Sequence, residues 1–421
     1  MTNFIAILAV TAAFLVFGLV SWKLKGSVVT GPMVFVIFGL AAGPAATGLV
    51  DLTITNFGLH ILAEVTLILV LFSDAANIDL RQLRRNHNLP VRMLLVGMPL
   101  TIILGAATAL VLFRHLTFWE VALLAAILAP TDAALGQAVV TNPVVPVRIR
   151  QTLAVESGLN DGIALPFVLI FAALASATQE ASGAGHWLAF GAKQVTLGPV
   201  AGAIVGFVGA KLVALCYRAH WMTERAEGMI ALALAFGAFA LAELVHGNGF
   251  IAAFVAGLTF GNVLAQRCKF LYEFAEAEGQ ILILLTFMAF GSAMIPLALP
   301  NVTFTHVLFA LLALTLLRML PVSLSLLGTK IKPVTSIFLG WFGPRGLASV
   351  LFVLLILEQA DVAHQSEVFT ITIVTVVLSI LLHGITAGPA ARRYGARAKA
   401  MGECEENRPI SEKPFEQESA E

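Results

Sequence analysis

The residues most able to do chemistry are four polar side chains in the sequence ESGLND at residues 156–161, inside a long apolar stretch. Ser157 and Asp161 are four residues apart and therefore lie on one face of a helix. Glu156 and Asn160 have the same spacing and occupy the adjoining face. Such a cluster either holds helices together or lines an ion site. Because helix-joining clusters seldom use two unpaired carboxylates, the pattern favours a site where Asp161 binds a cation or a proton.

A second group of polar residues interrupts the apolar stretch 118–140, at the sequence APTDA of residues 129–133. Pro130 removes a backbone donor and clashes with the preceding turn, which can break the helix. A break would free carbonyl groups beside Thr131 and Asp132 for ion coordination, and irregular backbone at membrane depth occurs only where it is buried in protein or lines a cavity. The alternative is a proline kink after which Thr131 and Asp132 only cap the restarted helix. The residues alone leave both interpretations open.

A third irregular segment lies in the apolar stretch 335–357, where Gly340 is followed by the sequence GPRG at residues 343–346. Two apolar stretches interrupted by glycine or proline, in corresponding positions of two halves, are the best sequence indication of a transporter site built on inverted repeats. Corresponding helices of inverted halves run in opposite directions. The pattern therefore predicts that the break carrying Asp132 crosses the break carrying Arg345 near the middle of the membrane.

The elements that must position these residues are membrane-spanning helices. Of the 421 residues, 59% are hydrophobic and 12% are charged, whereas soluble globular chains usually carry about 25% charged residues. Apolar stretches recur from Phe4 to His383, and a hydrocarbon core about 30 Å thick needs roughly 20 mostly apolar residues per helix. The net charge of zero does not favour a nucleic-acid partner. Cys216, Cys268 and Cys404 lack the spacing of a disulfide framework or a zinc site.

The apolar stretches predict thirteen spans, and the division between the eighth and ninth depends on a tight turn at residues 246–249. The first stretch is predicted to be a helix rather than a signal peptide, because no Lys or Arg precedes it and no typical cleavage site follows it. We therefore expect an all-α polytopic membrane protein with two inverted repeats, in which the interrupted helices 5 and 12 cross. The predicted spans are 4–22, 28–48, 58–77, 91–114, 118–140, 151–177, 189–216, 227–246, 248–264, 277–298, 303–328, 335–357 and 366–388.

The positions of the basic residues predict the orientation. Loops after odd-numbered spans hold most of the lysines and arginines, whereas the other side holds Arg114 and, near a helix end, Lys193. Because cationic loops resist translocation, we expect the N-terminus outside and the C-terminus in the cytoplasm, in a plasma or inner cell membrane. Residues 1–390 are expected to form the transmembrane domain. Residues 391–421, which are basic and then acidic, are expected to form a short disordered cytoplasmic tail.

Four short motifs occur together: Thr131-Asp132, ESxxND at 156–161, RxxPVS at 318–323 and GPRG at 343–346. With the thirteen predicted spans, they resemble the monovalent cation:proton antiporters of the NhaP and eukaryotic sodium/proton exchanger type. One departure is that many such proteins carry proline directly after Thr-Asp, whereas this chain has Ala133 there and a proline earlier, at Pro130. The departure concerns the extent of unwinding in helix 5, since the carboxylate itself is retained.

The resemblance implies a homodimer in which core helices, within about 91–177 and 303–388, move against interface helices within about 4–77 and 189–298. It also implies a monovalent cation and a proton as substrates, with no cofactor. The residues implied in the cation and proton site are Asp161, Asp132, Ser157, Glu156 and Thr131, of which all but Glu156 would be ligands of the cation. The residues implied in supporting that site are Asn160, Arg345 and Arg318.

The expected function is secondary active transport rather than enzyme catalysis. Removing a carboxylate from water disfavours its charged form, so a proton and a cation would compete for Asp161. Exchange by alternating access follows if the protein changes state only when the site is loaded, and one carrier carboxylate predicts electroneutral one-for-one exchange. We expect Arg345 to neutralise Glu156, with Arg318 as the second candidate, because an unpaired buried charge is strongly destabilising. Na⁺ is the expected cation, with K⁺ or Li⁺ as alternatives.

Two other functional classes fit the sequence less well. An intramembrane protease would also bury acids or a serine, but the motif GxGD is absent and Ser157 lacks a GxSG context. A cation channel also selects ions with acidic groups, but paired interrupted helices favour alternating access. For the other acids and histidines in the spans we expect structural roles, with an entrance funnel as the alternative for Asp74. These residues are Glu64, Asp74, Glu243, His60, His246, His306 and His383.

Overall fold

The computed structural model describes residues 2–24, 27–50, 57–80, 83, 88–177, 184–223, 226–264, 269–359, 361–402 and 404–407. Within these ranges the regular structure is entirely helical, without a strand. A hydrocarbon solvent explains this preference, because each backbone N–H and C=O must find a partner inside the protein and a helix satisfies its own. The predicted all-α class is confirmed.

The helices, numbered in chain order, are α1 (Thr2–Leu24), α2 (Gly31–Ala42), α3 (Phe57–Ala76), α4 (Asn88–Leu112), α5 (Phe118–Ile127), α6 (Ala133–Val140), α7 (Val147–Ala177), α8 (Ala184–Arg218), α9 (Ala226–Leu244), α10 (Gly249–Leu264), α11 (Lys269–Ala289), α12 (Phe304–Leu314), α13 (Leu316–Ser325), α14 (Pro333–Trp341), α15 (Leu347–Gln359) and α16 (Gln365–Ala400). Helix α4 contains a π-helical turn at Met93–Gly97, and α11 continues through a second such turn, Phe290–Met294, to Asn301. Short 3-10 turns end this segment and follow α16.

These helices are compatible with the thirteen predicted spans. In the described part of the chain, eight helices are long and apolar enough to cross a membrane, and five further apolar helices are shorter. Helices α5 and α6 correspond to the interrupted fifth span, and α14 and α15 to the interrupted twelfth. Helix α2 ends at Ala42, before the predicted boundary at residue 48, because Gly43 caps it and Pro44 cannot continue a helix.

Close backbone contacts join α10 to two of its neighbours, α8 and α3. A Cβ atom added at Gly202 of α8 would lie 2.3 Å from the carbonyl oxygen of Ala252, and one added at Gly257 of α10 would lie 2.1 Å from that of Phe72 in α3. Helices associate in a membrane mainly through such close packing of small residues, because lipid tails are as apolar as the side chains. The three helices therefore form a tightly packed group.

Contacts between histidines and glutamates join the N-terminal ends of α5, α12 and α16 on one side of the protein. The carboxylate of Glu120 completes a capping box with Thr117 and also accepts the backbone N–H of His364 at 2.9 Å. His306 Nε2 lies 2.8 Å from a carboxylate oxygen of Glu367. Both acids and His306 are thus satisfied within the fold, in agreement with the structural role expected for His306.

The C-terminal segment is more ordered than the sequence suggested. Helix α16 continues to Ala400, and a 3-10 turn, Glu405–Asn407, follows it. The expectation of disorder from residue 391 is therefore wrong for residues 391–402 and 404–407. The reason is that the basic half of the segment remains helical and Glu406 is buried, a contact that composition does not reveal. Residues 408–421 and Cys268 lie outside the described residues.

Glu406 joins this segment to the start of α14. Its Oε1 accepts the backbone N–H of Lys332 at 2.6 Å and the hydroxyl of Thr335 at 2.9 Å. Burial alone would raise the pKa of Glu406. The hydrogen bonds from Lys332 and Thr335 lower the pKa by more than burial raises it, so that it lies below the ordinary glutamate value. A carboxylate at a helix N-terminus also interacts favourably with the helix dipole.

We expect Glu406→Ala to destabilise the protein by about 1–3 kcal/mol, because it removes the acceptor of the Lys332 N–H and of the buried Thr335 hydroxyl at the start of α14. The measurement is the melting temperature in detergent, with Lys399→Ala, which removes an exposed charge from α16, as the control. Since the folded-state pKa is lowered, the contribution is present above the ordinary pKa of about 4.3 and is lost as the pH falls below it. Equal melting temperatures for the wild type and Glu406→Ala at pH 7 would contradict this role.

Candidate functional site

The two interruptions predicted from the sequence lie against each other. Residues 128–132 separate α5 from α6, and residues 342–346 separate α14 from α15. The backbone N–H of Asp132 donates to the carbonyl of Pro344 at 2.8 Å. Each interruption leaves helix-end donors and acceptors without intrahelical partners, so the opposite segment and nearby side chains must satisfy them. The predicted meeting of the two interrupted helices is confirmed. We call the place where residues 128–132 and 342–346 meet the crossing.

The carboxylate of Asp132 lies between two helix N-termini. One oxygen accepts the N–H of Ala134 in α6 at 2.7 Å, and the other accepts the N–H of Leu347, the first residue of α15, at 2.6 Å. Both N-termini carry partial positive charge, which a carboxylate stabilises. The capping role considered for Asp132 is therefore present. It does not exclude ion binding, because a carboxylate has about four lone-pair positions and these contacts use only some of them.

Arg345 occupies the opposite electrostatic position, at the C-terminal end of α5. Its Nη1 donates to the carbonyls of Ala129 at 2.6 Å and Pro130 at 3.0 Å. The hydroxyl of Ser349 donates to the carbonyl of Ile127 at 2.7 Å. These carbonyls have lost their helical partners, and the end of a helix carries partial negative charge. Its hydrogen bonds to these carbonyl groups hold Arg345 at the crossing.

The partner of Glu156 is Arg318, not Arg345. Arg318 Nη2 lies 2.5 Å from Glu156 Oε1, and both side chains are at most 2% exposed. The preferred pairing with Arg345 is thus wrong, and the second candidate is the one observed. A Cβ atom at Gly343 would lie 2.5 Å from Arg318 Nε, so the first glycine of GPRG leaves room for this guanidinium. Removing one member of a buried pair typically costs about 3–5 kcal/mol.

Asp161 differs from Asp132, which accepts backbone N–H groups, and from Glu156, which is paired with Arg318 although its Oε2 is also unsatisfied, because Asp161 has neither a hydrogen bond nor an ion pair among the described residues. Its Oδ1 is buried and accepts no hydrogen bond from the described residues. The neighbouring hydroxyls of Ser157 and Thr131 lie 3.0 Å apart, and the amide of Asn160 donates to the Thr131 hydroxyl at 2.6 Å. Buried polar atoms are almost always satisfied. An unsatisfied buried carboxylate oxygen on α7, one helical turn after the hydroxyl-bearing Ser157, is suited to binding a cation or a proton.

A cavity of about 530 Å³ reaches this site from one side of the protein. Asp161, Asp132 and Asp74 line it, and its lining extends to the exposed residues Asn77 and Thr141. These two residues follow α3 and α6, so the open end faces the side of the loops after the third and fifth spans. Asp74 lies along the route to the site, the position considered for it as an alternative.

The site also depends on residues to which the sequence assigned no role in it. Gly346 allows the Asp132 contact, because a Cβ atom there would lie 1.9 Å from Asp132 Oδ2. Ser379 of α16 accepts the backbone N–H of Arg345 at 2.7 Å. His383, one turn further, donates from Nε2 to the carbonyl of Trp341 at 2.9 Å and so caps α14. Single serines are common in membrane helices, so no sequence signal marks Ser349 or Ser379.

Comparison with known proteins identifies the family. The family described as "Sodium/hydrogen exchanger, transmembrane" matches residues 7–393. The chain belongs to the sodium/hydrogen exchanger family. The resemblance inferred from the motifs is thereby confirmed.

Two relatives illustrate the range of this family. The K(+)/H(+) antiporter NhaP of Alkalimonas amylolytica is 24% identical over 366 residues, covering 86% of this chain and 62% of the relative. The Na(+)/H(+) antiporter NhaP of Pseudomonas aeruginosa is 28% identical over 357 residues, covering 78% of this chain and 79% of the relative. The chain thus spans less than two thirds of the first relative and about four fifths of the second.

A solved structure supports the fold. The sodium proton antiporter MjNhaP1 from Methanocaldococcus jannaschii superimposes with a TM-score of 0.75 and 20% sequence identity, covering 96% of this chain and 100% of the other. At this identity the likeness establishes the fold alone. The exchanger family member described here therefore has the same arrangement of helices.

We expect Gly346→Ala to disrupt the crossing, because the new methyl group and the Asp132 carboxylate cannot occupy the same space. The melting temperature in detergent should fall, with a loss of about 1–3 kcal/mol as for other overpacked buried sites. The matched control is Gly136→Ala in α6, where an added Cβ meets nothing within 4 Å and helix propensity predicts a small gain. Similar melting temperatures for the two variants would contradict the contact between Gly346 and Asp132.

Proposed function

We propose that this chain is a secondary active transporter that exchanges a monovalent cation for a proton by alternating access. The observation that carries the proposal is Asp161, a buried carboxylate with an unsatisfied oxygen at the inner end of an open cavity. Ionisable groups at membrane depth are costly and are retained mainly for function. The names of the two relatives above support the same activity.

The charges at the crossing support a single exchangeable charge. The buried acids there are Asp132, Glu156 and Asp161, and the buried cations are Arg318 and Arg345. Glu156 is paired with Arg318, while Asp132 and Arg345 are each held by helix ends of opposite partial charge. Asp161 is left to be neutralised either by a proton or by a cation. One-for-one exchange follows, because the loaded site then has the same net charge in both forms.

The ligands proposed for the cation are Asp161, Asp132, Ser157 and Thr131. Two carboxylates and two hydroxyls provide the oxygen atoms that hard cations prefer. Ser157 and Thr131 lie within hydrogen-bond distance of each other, so a cation bound beside them would replace or rearrange that contact. Asn160 supports the site by its hydrogen bond to Thr131. We propose Na⁺ as the cation, with K⁺ as the alternative that the Alkalimonas relative favours.

The orientation and the moving parts belong to the same proposal. The cavity opens on the side of the basic loops, which is the cytoplasmic side if cationic loops are retained there, and this favours an N-out, C-in orientation in the cell membrane. The glycine-packed group of α3, α8 and α10 would remain static in a homodimer. The helices that carry the crossing, from α4 to α7 and from α12 to α16, would move as the core. A rigid support and a separate site-bearing unit are what alternating access requires.

We expect Asp161→Asn to abolish exchange, because an amide cannot exchange a cation for a proton. The measurement is cation-driven proton movement in proteoliposomes, followed with a pH-sensitive dye and Na⁺, K⁺ or Li⁺ in turn. The rate should fall to the background of the assay, because removal of a proton-transferring group typically costs about 10²–10⁴-fold, while the melting temperature stays near that of the wild type. Asp361→Asn, in an exposed loop, is the control. Retained exchange in Asp161→Asn would remove this residue from its proposed role.

A second expectation separates electroneutral exchange from electrogenic transport and from a channel. A net charge crossing the membrane gains about 2.3 kcal/mol per 100 mV, whereas one-for-one exchange moves none. The exchange rate should therefore be the same with and without a potential imposed by a potassium ionophore. A rate that follows the potential would favour unequal stoichiometry, and cation flux without proton movement would favour a channel.

A further inference from the structure

Arg148 places a positive charge on the route of the proposed cation. It lies in the first turn of α7 and lines the cavity that leads to Asp161. A helix rises about 1.5 Å per residue, which places Arg148 roughly 20 Å from Asp161 along α7, near the open end. Its side chain is only 9% exposed, so water screens this charge less than it would at the surface. An uncompensated guanidinium here would oppose the approach of a cation.

Glu405 supplies the compensating charge. Its Oε2 forms an ion pair with Arg148 Nη1, and the same nitrogen donates to the backbone carbonyl of Glu405 at 2.6 Å. The side chain and the backbone carbonyl of Glu405 thus both contact Nη1 of Arg148. A charge-assisted contact of this kind is stronger than one between neutral groups. The Glu405 side chain is 32% exposed, so the pair lies between the cavity and the solvent.

The residues after Glu405 hold it in place. Glu406 is anchored on α14 through Lys332 and Thr335. The side-chain amide of Asn407 donates to the carbonyls of Ala398 at 2.7 Å and Gly402 at 2.8 Å, both near the end of α16. Three consecutive residues therefore contact α7, α14 and α16 in turn. This arrangement positions a carboxylate at Arg148 without relying on a long, mobile side chain alone.

We propose that Glu405 is the counter-charge of Arg148 at the mouth of the cavity, and that the C-terminal segment 404–407 thereby sets the affinity of the open cavity for its cation. The proposal rests on the proposed exchange function. Arg148 belongs to α7 of the proposed core, and Glu405 lies in a turn that is fastened to α14 and α16 of the same core. The pair can therefore move with the site and need not break during transport. Glu405 acts through Arg148 and does not itself bind the transported ion.

The test is the cation concentration that gives the half-maximal exchange rate in proteoliposomes, measured with Na⁺ at constant ionic strength. Neutralising Glu405 exposes the charge of Arg148, so Glu405→Gln should raise this concentration about three- to tenfold at an ionic strength near 0.01 M, where charges are felt over about 30 Å. The maximal rate should stay within about twofold of the wild type, because the ion site is unchanged. At about 1 M ionic strength, where the screening length is about 3 Å, the difference should largely vanish.

Two further variants separate electrostatics from structure. Glu405→Asp keeps the negative charge and should recover part of the lost affinity, whereas the double variant Arg148→Gln/Glu405→Gln removes both charges and should return close to the wild-type value. An unchanged half-maximal concentration in Glu405→Gln, or an equal increase in the double variant, would overturn the proposal while leaving the exchange function intact. A wild-type protein without cation-driven proton flux would instead overturn both.

Discussion

The structure depends on satisfying the ends of four half-helices in the middle of a membrane. In hydrocarbon no water is available to the freed backbone groups, so each break must be completed by the other and by side chains. Asp132 is placed at the two helix starts and Arg345 at the end of α5, each where the partial charge of the helix ends is opposite to its own. Without Asp132 the starts of α6 and α15 lose a hydrogen-bond acceptor, and without Arg345 the carbonyl groups after α5 lose a donor.

This constraint explains why, among the described residues, only one of the acids at the crossing is without a partner in the fold and is therefore proposed to carry the ion. Asp132 is engaged by backbone donors, and Glu156 is engaged by Arg318. Asp161 is one helical turn beyond Ser157 on α7, faces the cavity and keeps an unsatisfied oxygen. Helix α7 thus carries Glu156, whose charge stabilises the fold, and Asp161, whose charge is not neutralised by another of the described residues. The glycines of GPRG complete the arrangement, since Gly343 makes room for Arg318 and Gly346 for Asp132.

The cavity connects this crossing to residues 404–407, the last residues that the structure describes. Arg148 lies in the first turn of α7, the helix that carries Asp161, and Glu405 in the segment after α16 forms an ion pair with it. Glu406 and Asn407 fasten the same segment to α14 and α16. The ends of these helices on the side of the cavity opening are therefore joined by hydrogen bonds and an ion pair, in contrast to the close glycine packing that joins α3, α8 and α10. The two kinds of contact correspond to the two groups of helices proposed to move against each other.

The sequence by itself determined that the helices lie in a membrane, where both breaks occur and which acids lie beside them. These inferences rest on hydropathy, on proline and on the four-residue spacing of a helix, which are local properties of the chain. It also supported the family through motifs that extend over only a few residues. It did not determine which arginine pairs with Glu156 or that Glu406 is buried at the start of α14. Those contacts join residues far apart in the chain, and they depend on the depth and rotation of each helix. Hydropathy leaves both undefined within a span, and only the packed tertiary structure decides them.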